Sequence, residues 1–118
     1  MQKNRGIKRL FYALIYSVQG LKSALKHEEA FRQEFIAFVG LSIFSLFLDV
    51  TAFERLIMIG TLVLVMIVEI LNSAIETTID RVSYDKHKLS GRAKDYGSFA
   101  VLMSILIALA SWLTILFL

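Results

Sequence analysis

The chain has 118 residues, of which 57% are hydrophobic, a mean hydropathy of +0.66 and a net charge of +3. A soluble domain averages roughly 45–50% apolar residues, so the excess predicts an all-α integral membrane protein with residues 1–118 forming a single domain. The absence of cysteine excludes disulfides, thiol catalysis and cysteine-ligated zinc. Since the basic residues flank apolar blocks, the positive charge is better explained by membrane orientation than by nucleic-acid binding.

Residues 5–26 predict an amphipathic helix that lies on the membrane surface. Apolar side chains recur there at steps of three and four, at Ile7, Leu10, Phe11, Leu14, Ile15, Val18, Leu21 and Leu25. Arg9, Lys22 and Lys26 fall mostly on the other face. A basic amphipathic helix with aromatic residues is typical of a membrane surface, although a core-facing soluble helix has the same periodicity.

Three transmembrane helices are predicted, at residues 28–49, 55–80 and 96–118. The last of these carries no charge and is long enough to cross a bilayer with some tilt. Residues 81–95 form a predicted loop with five basic side chains: Arg81, Lys86, Lys88, Arg92 and Lys94. Basic segments stay in the cytoplasm, which places this loop and the N-terminal segment with Lys3, Arg5 and Lys8 inside. The C-terminus is then expected in the periplasm.

Polar side chains follow one face of the second predicted span. Glu69, Asn72, Glu76 and Asp80 are spaced by three, four and four residues, so they form a stripe within roughly an 80° sector. Glu69 lies about 16 Å above Asp80 at 1.5 Å per residue, inside the hydrocarbon or at its boundary. An ionisable group there costs several kcal/mol unless it is paired or hydrated, so the stripe indicates a functional site facing a bundle interior. The alternative is a structural acid paired with Arg32 or a lysine.

A second polar set lies at the start of the first predicted span. Glu28 and Arg32 are one turn apart and can pair, and such a pair is more often a structural link than a site. Mg²⁺ is usually held by one or two carboxylates together with substrate phosphates, and Glu28 and Glu76 are candidates for such a pair. In the 81–95 loop, Arg92 and Lys94 can neutralise phosphate, or they simply anchor the loop inside.

Familiar nucleotide and zinc motifs are missing from this sequence. It contains no Walker A sequence and no protein-kinase signature, and His27 and His87 lack zinc-site spacing. The residues alone therefore predict cation and polar-substrate handling at a membrane, without naming a reaction.

Four motifs resemble prokaryotic diacylglycerol kinase. They are Phe-Arg-Gln-Glu at 31–34, Val-Glu-Ile-Leu-Asn-Ser-Ala-Ile-Glu at 68–76, Asp-Arg at 80–81 and Leu-Ser-Gly-Arg-Ala-Lys-Asp at 89–95. The second motif is highly specific, and the last resembles the proteobacterial enzymes more than the undecaprenol kinases of Gram-positive bacteria. The likeness runs from about residue 5 to the C-terminus. Val18, Gln19, Asp85 and Lys86 depart from the better-known family pattern.

The resemblance implies a lipid kinase of the bacterial inner membrane that acts in phospholipid recycling. It implies a homotrimer with shared active sites, one surface helix and three transmembrane helices per chain, and MgATP as co-substrate. Glu69 would be the catalytic base with Asn72 beside it, Asp80 a supporting residue, and Glu28 and Glu76 the Mg²⁺ ligands. The implied nucleotide-binding residues are Arg9, Tyr16, Glu28, Glu76, Asp85, Lys86, His87, Lys94 and Asp95. The implied lipid-substrate residues are Arg9, Ala13, Arg32, Gln33, Glu34, Arg55, Glu69 and Ser98.

Two other functions share parts of this pattern. Undecaprenol kinase is the alternative within the same reaction class. A small proton-coupled transporter also carries a membrane-embedded glutamate, but it needs neither a basic glycine-containing loop nor carboxylates clustered at the inner boundary.

Overall fold

The computed structural model describes residues 6–118, and this part of the chain forms four helices. They are α1 (Ile7–His27), α2 (Glu29–Leu46), α3 (Ala52–Val82) and α4 (Lys88–Phe117). Lys3 and Arg5, the latter being the first residue of the predicted surface helix, lie outside the described residues. The remainder of the chain is all-helical as expected.

The helices α3 and α4 are long and apolar enough to span a membrane. Only 28% of the most apolar stretch of α3 and 17% of that of α4 are buried within the chain, unlike the core helix of a soluble protein. Their outer faces therefore need lipid or another chain to cover them. The helix α2 has 18 residues, including Glu29, Arg32 and Glu34, so it is shorter and more charged than a typical span. The third span remains a prediction.

A single extended residue, Glu28, separates α1 from α2. The last carbonyls of a helix have no partner within that helix. Arg32 binds two of them, because its Nη1 donates to Leu25 O at 2.9 Å and Lys26 O at 3.3 Å. Glu28 and Arg32 do not form the ion pair that their spacing allows, because Glu28 has left helical geometry and main-chain oxygens hold the guanidinium instead.

A second arginine closes the turn between α2 and α3. Arg55 donates from Nε to Ser45 O and from Nη2 to Leu48 O, both at 3.0 Å. Thr51 starts α3 with a capping box, in which its Oγ1 accepts from Glu54 N–H at 3.1 Å and Glu54 Oε1 accepts from Thr51 N–H at 2.9 Å. The turn is thus fixed by bonds to the main chain on both sides.

The connection between α3 and α4 is shorter than the loop predicted for residues 81–95. Helix α3 continues to Val82 and α4 begins at Lys88, so residues 83–87 alone are non-helical. His87 explains the early start, because its Nδ1 accepts from Leu89 N–H at 3.1 Å and caps the helix. Charged residues at 88–95 suggested a loop, yet they form the exposed first turns of a long helix.

The core lies between α2, α3 and α4. Met58 is fully buried, and its carbonyl accepts from Trp112 Nε1 at 2.9 Å, which ties the C-terminal part of α4 to the start of α3. Val65 and Ala108 are also buried. This packing fixes the register in which α3 and α4 run antiparallel, and that register sets which α4 residues face the polar stripe.

Candidate functional site

The polar stripe of α3 turns into the bundle at Glu69 and Asn72. Glu69 is 8% exposed and Asn72 9%, whereas Glu76, one turn further, is exposed. Ser73 is buried beside them. The stripe therefore runs from the interior of the bundle to its surface, as a path for a polar substrate would require.

Asn72 links the buried part of the stripe to the exposed part. Its Nδ2 donates to Glu76 Oε1 at 3.3 Å, while its Oδ1 is buried without a hydrogen-bond partner. Gly97 of α4 lies against this carboxamide, with no side chain between them. A buried acceptor without a donor in its own chain is costly, so the position of Asn72 Oδ1 is set by what surrounds it and not by a hydrogen bond.

Negative charges converge around Glu69. Glu76 and Glu28 lie close enough for their charges to act on Glu69, and Glu69 acts in turn on Glu34. Within residues 6–118 the salt bridge found is Lys94–Asp80, so the alternative in which Arg32 neutralises Glu69 does not hold. Uncompensated carboxylates in one place repel each other and attract a cation.

The donor set fits a hard cation only in part. Carboxylate oxygens are the ligands that Mg²⁺ prefers, and Glu28 offers them from the corner before α2 while Glu76 offers them from α3. In the described part of the chain, however, no three His, Cys, Asp or Glu side chains are grouped closely enough to hold a metal. A metal between Glu28 and Glu76 therefore requires further oxygens, which nucleotide phosphates can supply.

The 83–87 connection lies over a cleft of about 520 Å³. Four predicted nucleotide-binding residues line it: Asp85, Lys86, His87 and Lys94. Lys94 Nζ also lies 3.0 Å from Asp80 Oδ1, which brings the supporting residue to the rim of this cleft. Asp95 points to the exposed surface of α4. Lysine ammonium groups beside an open cleft are suited to binding phosphate.

The predicted site residues on α1 lie apart from this cleft in the single chain. Arg9, Ala13 and Tyr16 are exposed, and the Tyr16 ring stacks on Tyr12 with centroids 6.4 Å apart. Glu28 instead lines a groove of about 840 Å³ between α1 and α3. Within the single chain, Arg9, Ala13 and Tyr16 do not line the 83–87 cleft.

The predicted lipid-binding residues are spread over three surroundings. Glu34 borders an apolar cavity of about 350 Å³ between α2, α3 and α4, and its Oε2 is buried without a partner. Arg32 and Arg55 are held by main-chain carbonyls, which gives each a structural function in this chain. Gln33 and Ser98 are exposed.

Comparison with known proteins identifies the family of this chain. The model of the family described as prokaryotic diacylglycerol kinase matches residues 15–116. This chain belongs to the prokaryotic diacylglycerol kinase family. It is 49% identical to the diacylglycerol kinase of Escherichia coli K12 over 107 residues, which are 91% of this chain and 88% of that protein. It is 46% identical to that of Haemophilus influenzae over 118 residues, 99% of each chain, and 45% identical to that of Pseudomonas aeruginosa over 111 residues, 94% of this chain and 90% of that protein.

Membership of the diacylglycerol kinase family confirms the resemblance seen in the four motifs, although the family match starts at residue 15 and leaves Arg9 and Ala13 outside it. Gly97 was not among the site residues predicted from sequence, although the structure places it against Asn72. The available signal was a glycine inside an otherwise strongly helical stretch, where alanine would be favoured.

Proposed function

We propose that this chain is an ATP-dependent kinase that phosphorylates the hydroxyl of diacylglycerol to give phosphatidic acid. The main support is the burial of Glu69 in a helix long enough to span a membrane, next to Asn72 and within reach of the charges of two further carboxylates. A lipid hydroxyl and a soluble nucleotide can meet only at the membrane boundary. The stripe runs from Glu69, at the depth of the lipid, to Glu76, on the side where a soluble nucleotide can bind. Membership of the family supplies the substrate class.

Phosphoryl transfer needs positioning and charge stabilisation more than covalent chemistry by the protein. In the proposed reaction the lipid oxygen bonds to the γ-phosphorus while the bond from that phosphorus to the β–γ bridging oxygen breaks, leaving ADP. Glu69 accepts the hydroxyl proton, and Asn72 orients Glu76 through its amide. Glu28 and Glu76 would hold Mg²⁺, whose charge offsets that of the β- and γ-phosphates. Lys94 adds a second positive charge beside the 83–87 cleft.

The proposed enzyme is a homotrimer in the bacterial inner membrane, with its N-terminus in the cytoplasm and its C-terminus in the periplasm. Two features support an assembly with shared sites. Glu76, Asp95 and Ser98 are exposed in the single chain, and the apolar faces of α3 and α4 are largely uncovered. Arg9 and Tyr16 would then bind nucleotide at the site of a neighbouring protomer.

A competition assay tests the proposal. Purified protein in mixed micelles receives radioactive ATP with diacylglycerol and undecaprenol together, and labelled products are separated by chromatography. We expect the label in phosphatidic acid, and a loss of about 10²–10⁴-fold for Glu69→Gln with normal assembly. Label mainly in undecaprenyl phosphate would favour the alternative kinase. No labelled lipid at all would favour a transporter. Near-wild-type turnover of Glu69→Gln would refute the assignment of Glu69 as the catalytic base.

A further inference from the structure

Gly97 lies at the closest approach of α4 to the polar stripe. It is buried, and a Cβ built on its backbone would collide with Asn72 Oδ1 and lie 2.9 Å from Asn72 Cγ. The other helical glycines have open space: nothing lies within 4 Å of such an atom at Gly20, Gly40, Gly60 or Gly91. Of these five helical glycines, Gly97 is therefore the one at which the surroundings leave no room for a side chain.

The orientation of Asn72 explains why the space is needed. Its Nδ2 donates to Glu76 Oε1, and the opposite orientation would place the amide oxygen against a carboxylate. With Nδ2 fixed toward Glu76, Oδ1 has to point the other way, toward Gly97. Any side chain at position 97 would displace Oδ1 and turn Nδ2 away from Glu76.

We infer that Gly97 is a positioning residue that holds the Asn72 carboxamide in the orientation that supports Glu76. The inference rests on the proposed function, in which Asn72 and Glu76 belong to the reacting site. The colliding atoms belong to the end of a side chain and not to the α3 backbone. An added methyl group would therefore rotate Asn72 before it pushed the two helices apart, so the main loss is in activity and not in folding.

The test compares Gly97→Ala with Gly40→Ala, which adds the same methyl group to a helical glycine with open surroundings. The chain has two asparagines, Asn4 and Asn72, so labelling with [¹⁵N]asparagine gives two pairs of side-chain NH₂ signals in NMR spectra. We expect Gly97→Ala to shift the Asn72 pair, leave the Asn4 pair, and lower kinase turnover roughly ten- to hundredfold. Gly40→Ala should change neither the signals nor the turnover.

Each outcome separates the inference from the proposed function. Unchanged Asn72 signals in a folded Gly97→Ala protein would overturn the inference whatever the turnover. Shifted signals with full turnover would leave Gly97 as the residue that positions Asn72 and would remove Asn72 from the catalytic machinery. If Gly97→Ala unfolds, the double variant with Asn72→Ala must restore the unfolding midpoint, because the built Cβ lies 3.7 Å from Asn72 Cβ, an ordinary contact. If the double variant does not recover, the methyl group collides with a group other than the Asn72 carboxamide, and the inference is wrong.

Discussion

The two ends of the helix bundle treat their polar side chains differently. At the end with the α2–α3 turn, called the capped end, side chains donate to main-chain carbonyls: Ser45 to Ser42, Arg55 to Ser45 and Leu48, and Thr61 and Trp112 to Met58. The other end, called the carboxylate end, contains Glu28, Glu34, Glu69, Asn72 and Glu76. Two of its buried oxygens, Glu34 Oε2 and Asn72 Oδ1, have no partner. In the part of the chain that the structure describes, the capped end has one such atom, Ser42 Oγ.

Arg32 also donates to main-chain carbonyls at the carboxylate end, so the two ends differ in their acidic side chains and not in this kind of bond. The carboxylates indicate that the carboxylate end is arranged for a ligand. Each unpartnered buried acceptor costs about 1–3 kcal/mol, so an arrangement with several of them is stable only if other parts of the molecule compensate. The bonds at the capped end contribute to that compensation. Substitutions at the carboxylate end should therefore reduce catalysis, and those at the capped end should reduce stability.

The largest effect is expected at the carboxylate end from Glu76→Gln. The amide keeps the shape of the side chain but removes the negative charge that the proposed Mg²⁺ site needs, so turnover should fall by roughly 10²-fold or more. The apparent Mg²⁺ requirement should rise in parallel. Steady-state kinetics over a Mg²⁺ series, with the unfolding midpoint measured on the same samples, checks both expectations.

The matched control is Glu54→Gln, the same change at the capped end. Glu54 belongs to the Thr51 capping box, and the amide oxygen of glutamine can also accept from Thr51 N–H, so the change should affect stability little and leave the Mg²⁺ requirement unchanged. If the two variants depend equally on Mg²⁺, Glu76 is not a metal ligand, and the proposed functional difference between the two ends is wrong.

At the capped end, a clear loss of stability is expected from Arg55→Met. The guanidinium satisfies two carbonyls at the end of α2, and hydrogen bonds from charged groups are worth about 1.5–3 kcal/mol each. Denaturation in detergent should show the loss, and Arg81→Met, at an exposed position in the last turn of α3, should show little. An unchanged midpoint together with a raised KM for the lipid would instead favour the lipid-binding function that the family resemblance implies for Arg55.

The smallest effect is expected from Asp80→Asn. The Lys94 and Asp80 side chains are 42% and 37% exposed, and exposed ion pairs contribute at most about 1 kcal/mol. The unfolding midpoint should therefore stay within about that range of the wild type, and the difference should shrink further at high salt. A loss as large as that of Arg55→Met would mean that Lys94–Asp80 is a structural tie and that the carboxylate end also maintains the fold.

Much of the architecture could be predicted from sequence because it depends on local patterns. Apolar periodicity gave α1 nearly residue for residue, and the spacing of Glu69 and Asn72 placed both on a face that is in fact buried. Contacts between helices were not predictable in this way. The periodicity of one helix carries no information on what faces it, so the proximity of Gly97 to Asn72 and the binding of Arg32 to main-chain carbonyls became visible only in three dimensions.

The error at the start of α4 has a related cause. Charged residues from 88 to 95 suggested a loop, because a hydropathy pattern marks where a chain leaves the hydrocarbon and not where a helix ends. A cap formed by His87 decides that boundary, and histidine is not among the residues usually preferred for helix N-caps.

The two arginines at the helix corners have a consequence for how this sequence can change. Arg32 and Arg55 bind carbonyl oxygens, and every amino acid has one, so these bonds do not depend on the side chains at positions 25, 26, 45 and 48. Position 45 is constrained for another reason, because its side chain is fully buried. A corner built in this way depends on one residue and leaves its neighbours free to adapt to bilayers of different thickness or composition. For protein engineering, the hydrophobic surface beside each corner can be redesigned as long as its guanidinium is kept.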